Sequence, residues 1–410
     1  MQLESLLGHS TELIRIIRKS PQPSDMIASE YFRSKKYIGA SDRRFVSGLV
    51  FHTLRTLSLC EAIAEHEGMP DVVHAGHALM EKGLDGLGPW THELPEHVRV
   101  CTQDWLLEST RARWSDAADV WQSMTQAAPL VLRVNLRRAT RERALQHLHS
   151  EGIDAIASPL SPAAIIINQR INLLQHPLYK GGIVEIQDEG SQLIGYACDP
   201  RQGEVILDAC AGAGGKSLHL ADLQMAKGQI VANDIEWNRL KEIGPRANRA
   251  GVRSITVERR QPGSAARDHR KFDLVLVDAP CSGLGTARRM PMAKWRITPD
   301  TLSRHARKQR QVLEEYVSYV RPGGVLVYAT CSIMPEENER VVEKFLASHP
   351  EFGGEPLDPC FKRHGVVVPG LAPEQFMLQM DPLHHGTDGL FMARMRRVTD
   401  APPIAPRQRR

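Results

Sequence analysis

Between residues 184 and 397 the chain repeats one pattern, a short apolar β-rich run followed by a helix-compatible segment. The runs fall at residues 205–208, 228–234, 273–280 and 324–331. A buried strand followed by an amphipathic helix returns the chain by a crossover, so the pattern predicts an α/β fold with a parallel, doubly wound, Rossmann-like sheet. Ligands in such sheets bind outside the carboxyl ends of the strands. The residues ending the runs are therefore the candidate site. Residues 376–380 and 390–395 read as two more strands joined across 384–389, an antiparallel end on a mixed sheet.

The chain upstream has a different texture. Residues 1–128 read as an all-α domain. Apolar side chains recur at helical spacing through Leu13, Ile14, Ile16 and Ile17, and again through Phe45, Leu49, Val50, Leu54 and Leu57. The proline-containing stretch 20–25 is a turn, and 86–96 is a Gly- and Pro-rich connector. A further helical stretch, 96–128, carries Trp105 and Trp114, both expected in a core. Residues 129–183 are expected to form a small α+β domain, with strands at 130–135 and 163–167 and a helix over 139–151. Arg133, Arg137, Arg138, Arg141 and Arg143 crowd this unit and read equally as a solvated face or an RNA surface. The catalytic-type unit covers 184–397. Residues 398–410 contain prolines and end in arginines, which reads as a disordered basic tail.

Composition sets the outer limits. The 410 residues exceed one ordinary core, and 42% apolar content without a long apolar run excludes a membrane-spanning helix. No basic-then-apolar leader opens the chain, so a cytoplasmic location is expected. Seven cysteines are dispersed without Cys-x-x-Cys spacing. That argues against a disulfide framework and a zinc module, and no metal is expected. A net charge of +4 permits an RNA partner.

The first run enters a loop of Cys210, Ala211, Gly212, Ala213, Gly214, Gly215 and Lys216. Glycines between a strand and a helix let the backbone approach a ligand closely. A phosphate loop needs glycine where Cys210 stands, and the dinucleotide spacing puts Ser217 where its third glycine belongs. S-adenosyl-L-methionine (SAM) is the third candidate ligand. The second run ends at Asp234, placed to bind ribose hydroxyls, a feature NAD and SAM enzymes share.

The later runs end in chemistry. One closes on Asp278-Ala279-Pro280-Cys281, the other on Thr330-Cys331. Both thiols should emerge at the ligand edge beside the glycine loop. C5 of cytosine cannot take a methyl group from a sulfonium unaided, but a thiolate added to C6 turns the ring into an enamine-like nucleophile. A base must then remove the C5 proton so that the thiolate can leave. Asp278, at the same strand tip, could address N3 and the exocyclic amine.

The segments Asp-Ala-Pro-Cys-Ser-Gly (278–283) and Ala-Thr-Cys-Ser (329–332) resemble those of the RNA cytosine-5 methyltransferases of the RsmB/Sun (Fmu) group. So do 186–193, the glycine loop, Pro-Glu-Glu-Asn-Glu (335–339) and Gly-Thr-Asp-Gly-Leu-Phe (386–391). The resemblance runs in order over residues 129–397. It implies Cys331 as the nucleophile on C6, Cys281 as the residue assisting product release, and Asp278 between cofactor and base. It also implies SAM as cofactor, lined by residues 210–216 with Asp234 on its ribose. The N-terminus resembles a NusB-like RNA-binding domain through Asp42-Arg43-Arg44 and residues 51–55, which implies small-subunit ribosomal RNA as substrate. Two departures stand out. Gly212-Ala213 replaces the family's Ala-Pro, and residues 258–262 hold no Asp where the family places an acid near the adenine. Gln261 is the candidate there.

Arg288, Arg289, Lys294, Arg296, Arg304, Arg307, Lys308 and Arg310 follow Cys281 closely, with Trp295 among them. The arginines near Cys281 read as a phosphate-binding rim, Trp295 as core. The reading is an RNA cytosine-5 methyltransferase. Its rivals are a non-catalytic RNA-binding or ribosome-assembly factor of the same descent and a tRNA-modifying enzyme of the same chemistry.

Overall fold

A computed structural model of the chain describes residues 1–169, 171–260 and 270–398. Five helices open it: Leu3–Lys19, Ser24–Ser34, Ala40–Arg55, Leu57–His66 and Val72–Lys82. Leu13, Ile14 and Ile17 pack with Val46, Leu49, Val50 and Leu54 in one buried cluster, which Met292 joins from far along the chain. Ile16 departs from the expected stripe and is 38% exposed. Leu6, Leu7, Leu13, Ile14 and Ile17 already fill that helix's inner face, and Ile16 points away from it.

The stretch 96–128 is not one helix but three short ones, Glu96–Arg99, Asp104–Arg111 and Ala117–Ser123. Trp105 lies on the second and Trp114 between the last two. Both pack, partly buried, against a cluster that joins Leu106, Val120 and Trp121 to Leu284, Ile297 and Ile333. The helical region is thus sewn onto the segments that follow the two candidate cysteines.

A small antiparallel sheet comes next, made of β1 (Leu130–Val134), β2 (Ala155–Ala157), β3 (Ala164–Ile167) and β4 (Val184–Ile186). Its order is β2-β3-β1-β4. β4 lies past residue 183, where the sequence placed the unit's end. Val184 sits opposite Val134, and both enter the sheet's buried cluster. The three-residue edge strand β2 was too short to show a period.

The large sheet contains β5 (Val205–Asp208), β6 (Gln229–Asp234), β7 (Ile255–Arg259), β8 (Phe272–Asp278), β9 (Val320–Thr330), β10 (Phe352–Gly354), β11 (Met377–Gln379) and β12 (Phe391–Arg397). Among the described residues its order is β10-β12-β9-β8-β5-β6-β7, with β11 on β12. The five strands from β9 to β7 pair in parallel, and β12 closes antiparallel on β9. Alternation along the strands loads both faces. Ile206, Ile230, Leu274, Leu276 and Val327 bury with Leu193, Ile194 and Leu218. Leu207, Val231, Val275, Val277, Leu326 and Tyr328 bury on the other side with Val312, Leu313 and Phe345. A sheet covered twice needs apolar residues at every position, which is why these strands read as continuous runs. No described helix is long and apolar enough to cross a membrane.

Candidate active site

From β5 the chain winds outward through β6 to β7, then returns to lay β8 and β9 on the opposite side of β5. The crevice between β5 and β8 is the switch point, where an open α/β sheet binds its ligand. Asp208 ends β5, Asp278 ends β8 and Thr330 ends β9, so the loops carrying Cys210, Cys281 and Cys331 rise side by side.

The Sγ atoms of Cys281 and Cys331 lie 3.3 Å apart. Backbone bonds fix the two loops: Ala279 N–H donates to Ala329 O at 2.8 Å and Gly285 N–H to Cys331 O at 3.0 Å. Gly285 has no alternative, because a Cβ there would meet the Gly389 carbonyl oxygen at 1.7 Å. Contact with Cys331, and then burial, push the Cys281 thiol well above its ordinary range.

A fully buried carboxylate stands behind both. Glu337 accepts Ser282 N–H at 2.8 Å and Gln309 Nε2 at 2.9 Å, together with the hydroxyls of Ser282 and Ser332. Tyr328 OH binds the Glu337 carbonyl at 2.6 Å, and Asn338 Nδ2 binds Ser332 O at 2.9 Å. The sequence offered Glu337 only as part of a motif. Serine following each cysteine was the available signal for this tie.

Cys210, Asp234, Asp278, Cys281 and Cys331 line one cavity of about 400 Å³, with Arg239, Arg260, Lys308, Glu315 and Tyr316. Of the expected cofactor loop, 210–216, only Cys210 is among the lining residues, and the rest of the loop is held beside it by its own bonds. Ala211 N–H donates to Asn233 O at 2.9 Å, and Gly212 N–H to Asp234 Oδ2 at 2.8 Å. Ala213 O accepts from Arg246 at 2.7 Å. Gly214 caps the Gly215–Leu223 helix at φ +81°, and a Cβ on it would meet Ile243 at 2.7 Å. Lys216 Nζ binds Asp278 Oδ2 at 2.7 Å. Burial pulls the Lys216 pKa down, but the Asp278 carboxylate outweighs it and holds it above its usual value. A lysine committed to a carboxylate is not aimed at a phosphate, which removes the nucleotide-triphosphate reading of the loop. Burial and the nearby Asp234 push the Cys210 thiol well above its ordinary range.

A family model described as 16S rRNA methyltransferase RsmB/F matches residues 195–396, and one for the RsmF/B-like ferredoxin-like domain matches 103–173. The ribosomal RNA small subunit methyltransferase B of Pasteurella multocida is 30% identical over 354 residues, 82% of this chain and 77% of that protein. The chain belongs to the RsmB/F family of RNA methyltransferases. A probable small subunit methyltransferase B of Bacillus subtilis is 38% identical over 269 residues, and the match covers 65% of this chain and 59% of that protein. Among solved structures, NSun6 of Pyrococcus horikoshii with SFG shares the fold at TM-score 0.64 and 20% identity, over 73% of this chain and 99% of that one. A methyltransferase homologue from the same organism matches at TM-score 0.61 and 26% identity, over 74% and 98%.

SAM is the cofactor of the RsmB/F family, and the cavity suits it. Asp234 takes two backbone N–H groups, from Gly212 and Glu236. A carboxylate has about four acceptor sites, so capacity remains for ribose hydroxyls. Gln261, the expected adenine contact, lies outside the described residues. Its neighbour Arg260 lines the cavity instead, over the rings of Tyr316 and Tyr319.

The expected phosphate rim needs correction. Arg288 is buried against Asp388, and Arg289 binds Asp388 and Asp188. Lys294 is fully buried with its ammonium on the Arg55 carbonyl at 2.8 Å, and Arg296 binds Ile17 O at 2.6 Å. These cations join segments. Trp295 packs against the N-terminal clusters as expected. Arg304, Arg307 and Lys308, on the Pro299–Tyr316 helix, remain exposed. Arg133 is likewise no surface residue: it is 3% exposed, bound to Gln187 and to Asp222 at 3.3 Å. Arg138 bonds the carbonyls of Gly181 and Arg249, docking the small sheet on the large one.

One cluster among the described residues has metal-ligand chemistry, His147, Glu151 and His176. Leu178 N–H donates to His176 Nδ1 at 3.2 Å, so Nε2 carries the proton and reaches Glu151 at 3.1 Å.

Proposed function

We propose that the chain transfers a methyl group from SAM to C5 of a cytidine in RNA, through a covalent bond between Cys331 and C6 of the base. The observation that carries this reading is the pair of thiols 3.3 Å apart at the rim of the Asp234–Asp278 cavity. A single buried cysteine would be packing. Two in contact at the edge of one cavity suit a nucleophile with an acid–base partner.

Bound SAM supplies a methyl group on a sulfonium. The Cys331 thiolate adds its electron pair to C6, and the ring's π pair becomes available at C5, which would take the methyl group as the S–CH3 electron pair stays on sulfur. Asp278, steadied by Lys216, accepts from the exocyclic amine and orients the ring. Once Cys331 is bonded to carbon it no longer holds the Cys281 proton, which leaves to solvent. The Cys281 thiolate then takes the C5 proton, the C5=C6 bond re-forms, and Cys331 departs with its electron pair. The balance is one proton released per methyl transferred.

C5 and C6 are shielded in a stacked helix, so the target is single-stranded or extruded at a cost of a few kcal/mol. Arg304, Arg307 and Lys308 supply phosphate contacts, and the helical N-terminal region (1–128) and the small α+β unit (129–183) extend the RNA surface. The relatives' names support small-subunit ribosomal RNA as substrate. Labelled SAM, small-subunit ribosomal RNA and tRNA, with nucleoside analysis by mass spectrometry, test the reading. It expects 5-methylcytidine in the ribosomal RNA. Label in tRNA alone would move the substrate, and SAM binding without methyl transfer to any RNA would leave an RNA-binding factor.

A further inference from the structure

A second cavity, of about 270 Å³, shares Cys281 with the first. One wall is the turn between the first two helices, with Pro21, Gln22 and Pro23, all exposed. The other is the chain after Cys281, with Met290, Met292 and Arg296. A remote part of the sequence therefore walls the loop that carries Cys281.

The lining has a definite chemistry. Two proline rings and two thioethers give flat and adaptable apolar surface. Met290 is 43% exposed, a large apolar side chain left at the mouth. Gln22 brings an amide with donors and an acceptor. Arg296 brings a guanidinium anchored through one nitrogen on Ile17 O at 2.6 Å. That carbonyl lies in the last turn of the Leu3–Lys19 helix, where carbonyls lack intrahelical partners. The anchor fixes the cation's position while leaving its other donors to a ligand. Apolar faces with a few fixed donors and one acceptor suit a planar heterocycle with polar edges.

We propose that this cavity holds the nucleobase adjoining the target cytosine, and that the turn at residues 21–23 thereby sets which RNA sequence is methylated. The inference rests on the proposed RNA cytosine methylation. With the target base against Cys281 and Cys331, its neighbour is tied one phosphodiester away and must leave along a surface that begins at Cys281. This cavity begins there. The N-terminal helices would then do more than attract RNA: they complete a specificity pocket at the reacting centre.

The test is a coupling experiment on short single-stranded RNAs centred on the methylated cytidine. Each neighbouring nucleotide is made abasic in turn, and the wild type is compared with the double variant Gln22→Ala, Met290→Ala. Both residues are exposed, and thermal unfolding together with SAM calorimetry verifies that fold and cofactor binding are intact. For one immediate neighbour, the abasic change should raise the wild-type KM about tenfold, in line with the worth of a held base. The variant should show the same rise on intact RNA and none further on the abasic one. Losses that multiply, or a variant with wild-type KM, would overturn the assignment. A wild type that methylates no cytidine would overturn the functional reading itself, and this inference with it.

Discussion

Ser282 donates its backbone N–H to the Glu337 carboxylate at 2.8 Å. Because Ser282 follows Cys281, and the same acid accepts the hydroxyl of Ser332 beside Cys331, one buried group sets both thiols. Glu337→Gln replaces an acceptor by a donor in a site built from donors. Leaving such groups unsatisfied costs about 1–3 kcal/mol. We expect kcat to fall about 10- to 100-fold while SAM affinity stays within twofold. Steady-state kinetics with calorimetry check this, and an unchanged kcat would contradict the role.

Lys216 is 13% exposed and its partner Asp278 29%. Removing one member of a fully buried pair costs about 3–5 kcal/mol, and solvent at Asp278 reduces that here. Lys216→Met should therefore fold but misplace the carboxylate at the reacting base. Turnover should drop at least about tenfold, and more than SAM affinity does. A larger loss in SAM binding than in kcat would place Lys216 on the cofactor alone.

The parallel sheet was legible because strands covered on both faces must be apolar throughout, and because Asp234 and Asp278 end two of them, with Cys281 and Cys331 in the loops beyond β8 and β9. The strands β2 and β10, three residues each, are too short to carry a period, and β7 is only partly buried. The basic residues were misread for a different reason. Charge in a sequence does not say whether it faces water: Arg133, Arg288 and Lys294 are buried, each with a partner far along the chain. Glu337 escaped for the same cause, since its value comes from Ser282 and Gln309, which only the fold brings near.

Asp208 at the end of β5 is buried, and burial pushes its pKa up to about 7 against Ser217's opposing hydrogen bond at 2.6 Å. The unfolded carboxyl ionises near its ordinary 3.8, so between about pH 4 and 7 the folded state binds more protons. Stability then falls as pH rises through that window. Asp208→Asn removes the effect. Urea unfolding from pH 4.5 to 7.5 should show the variant gaining on the wild type, by on the order of a few kcal/mol at the upper end. Parallel curves would contradict the shift.

Arg288 and the cations of the Pro299–Tyr316 helix should separate by assay. Arg288→Ala leaves Asp388, 2% exposed, without this partner, so the melting temperature should fall with little change in the salt dependence of RNA binding. Replacing Arg304, Arg307 and Lys308 by alanine should leave melting unchanged. The slope of log affinity against log salt should become shallower by up to about 2, at roughly 0.7 per phosphate contact.

The account's central claim is that Cys331 bonds to the RNA and that Cys281 is needed to release it. Methyl transfer from labelled SAM to small-subunit ribosomal RNA, run on a denaturing gel with wild type, Cys331→Ala and Cys281→Ala, tests it most directly. The wild type should label the RNA, Cys331→Ala should not, and a protein-linked RNA band should accumulate with Cys281→Ala. Turnover by Cys331→Ala, or an adduct that survives its removal, would contradict it.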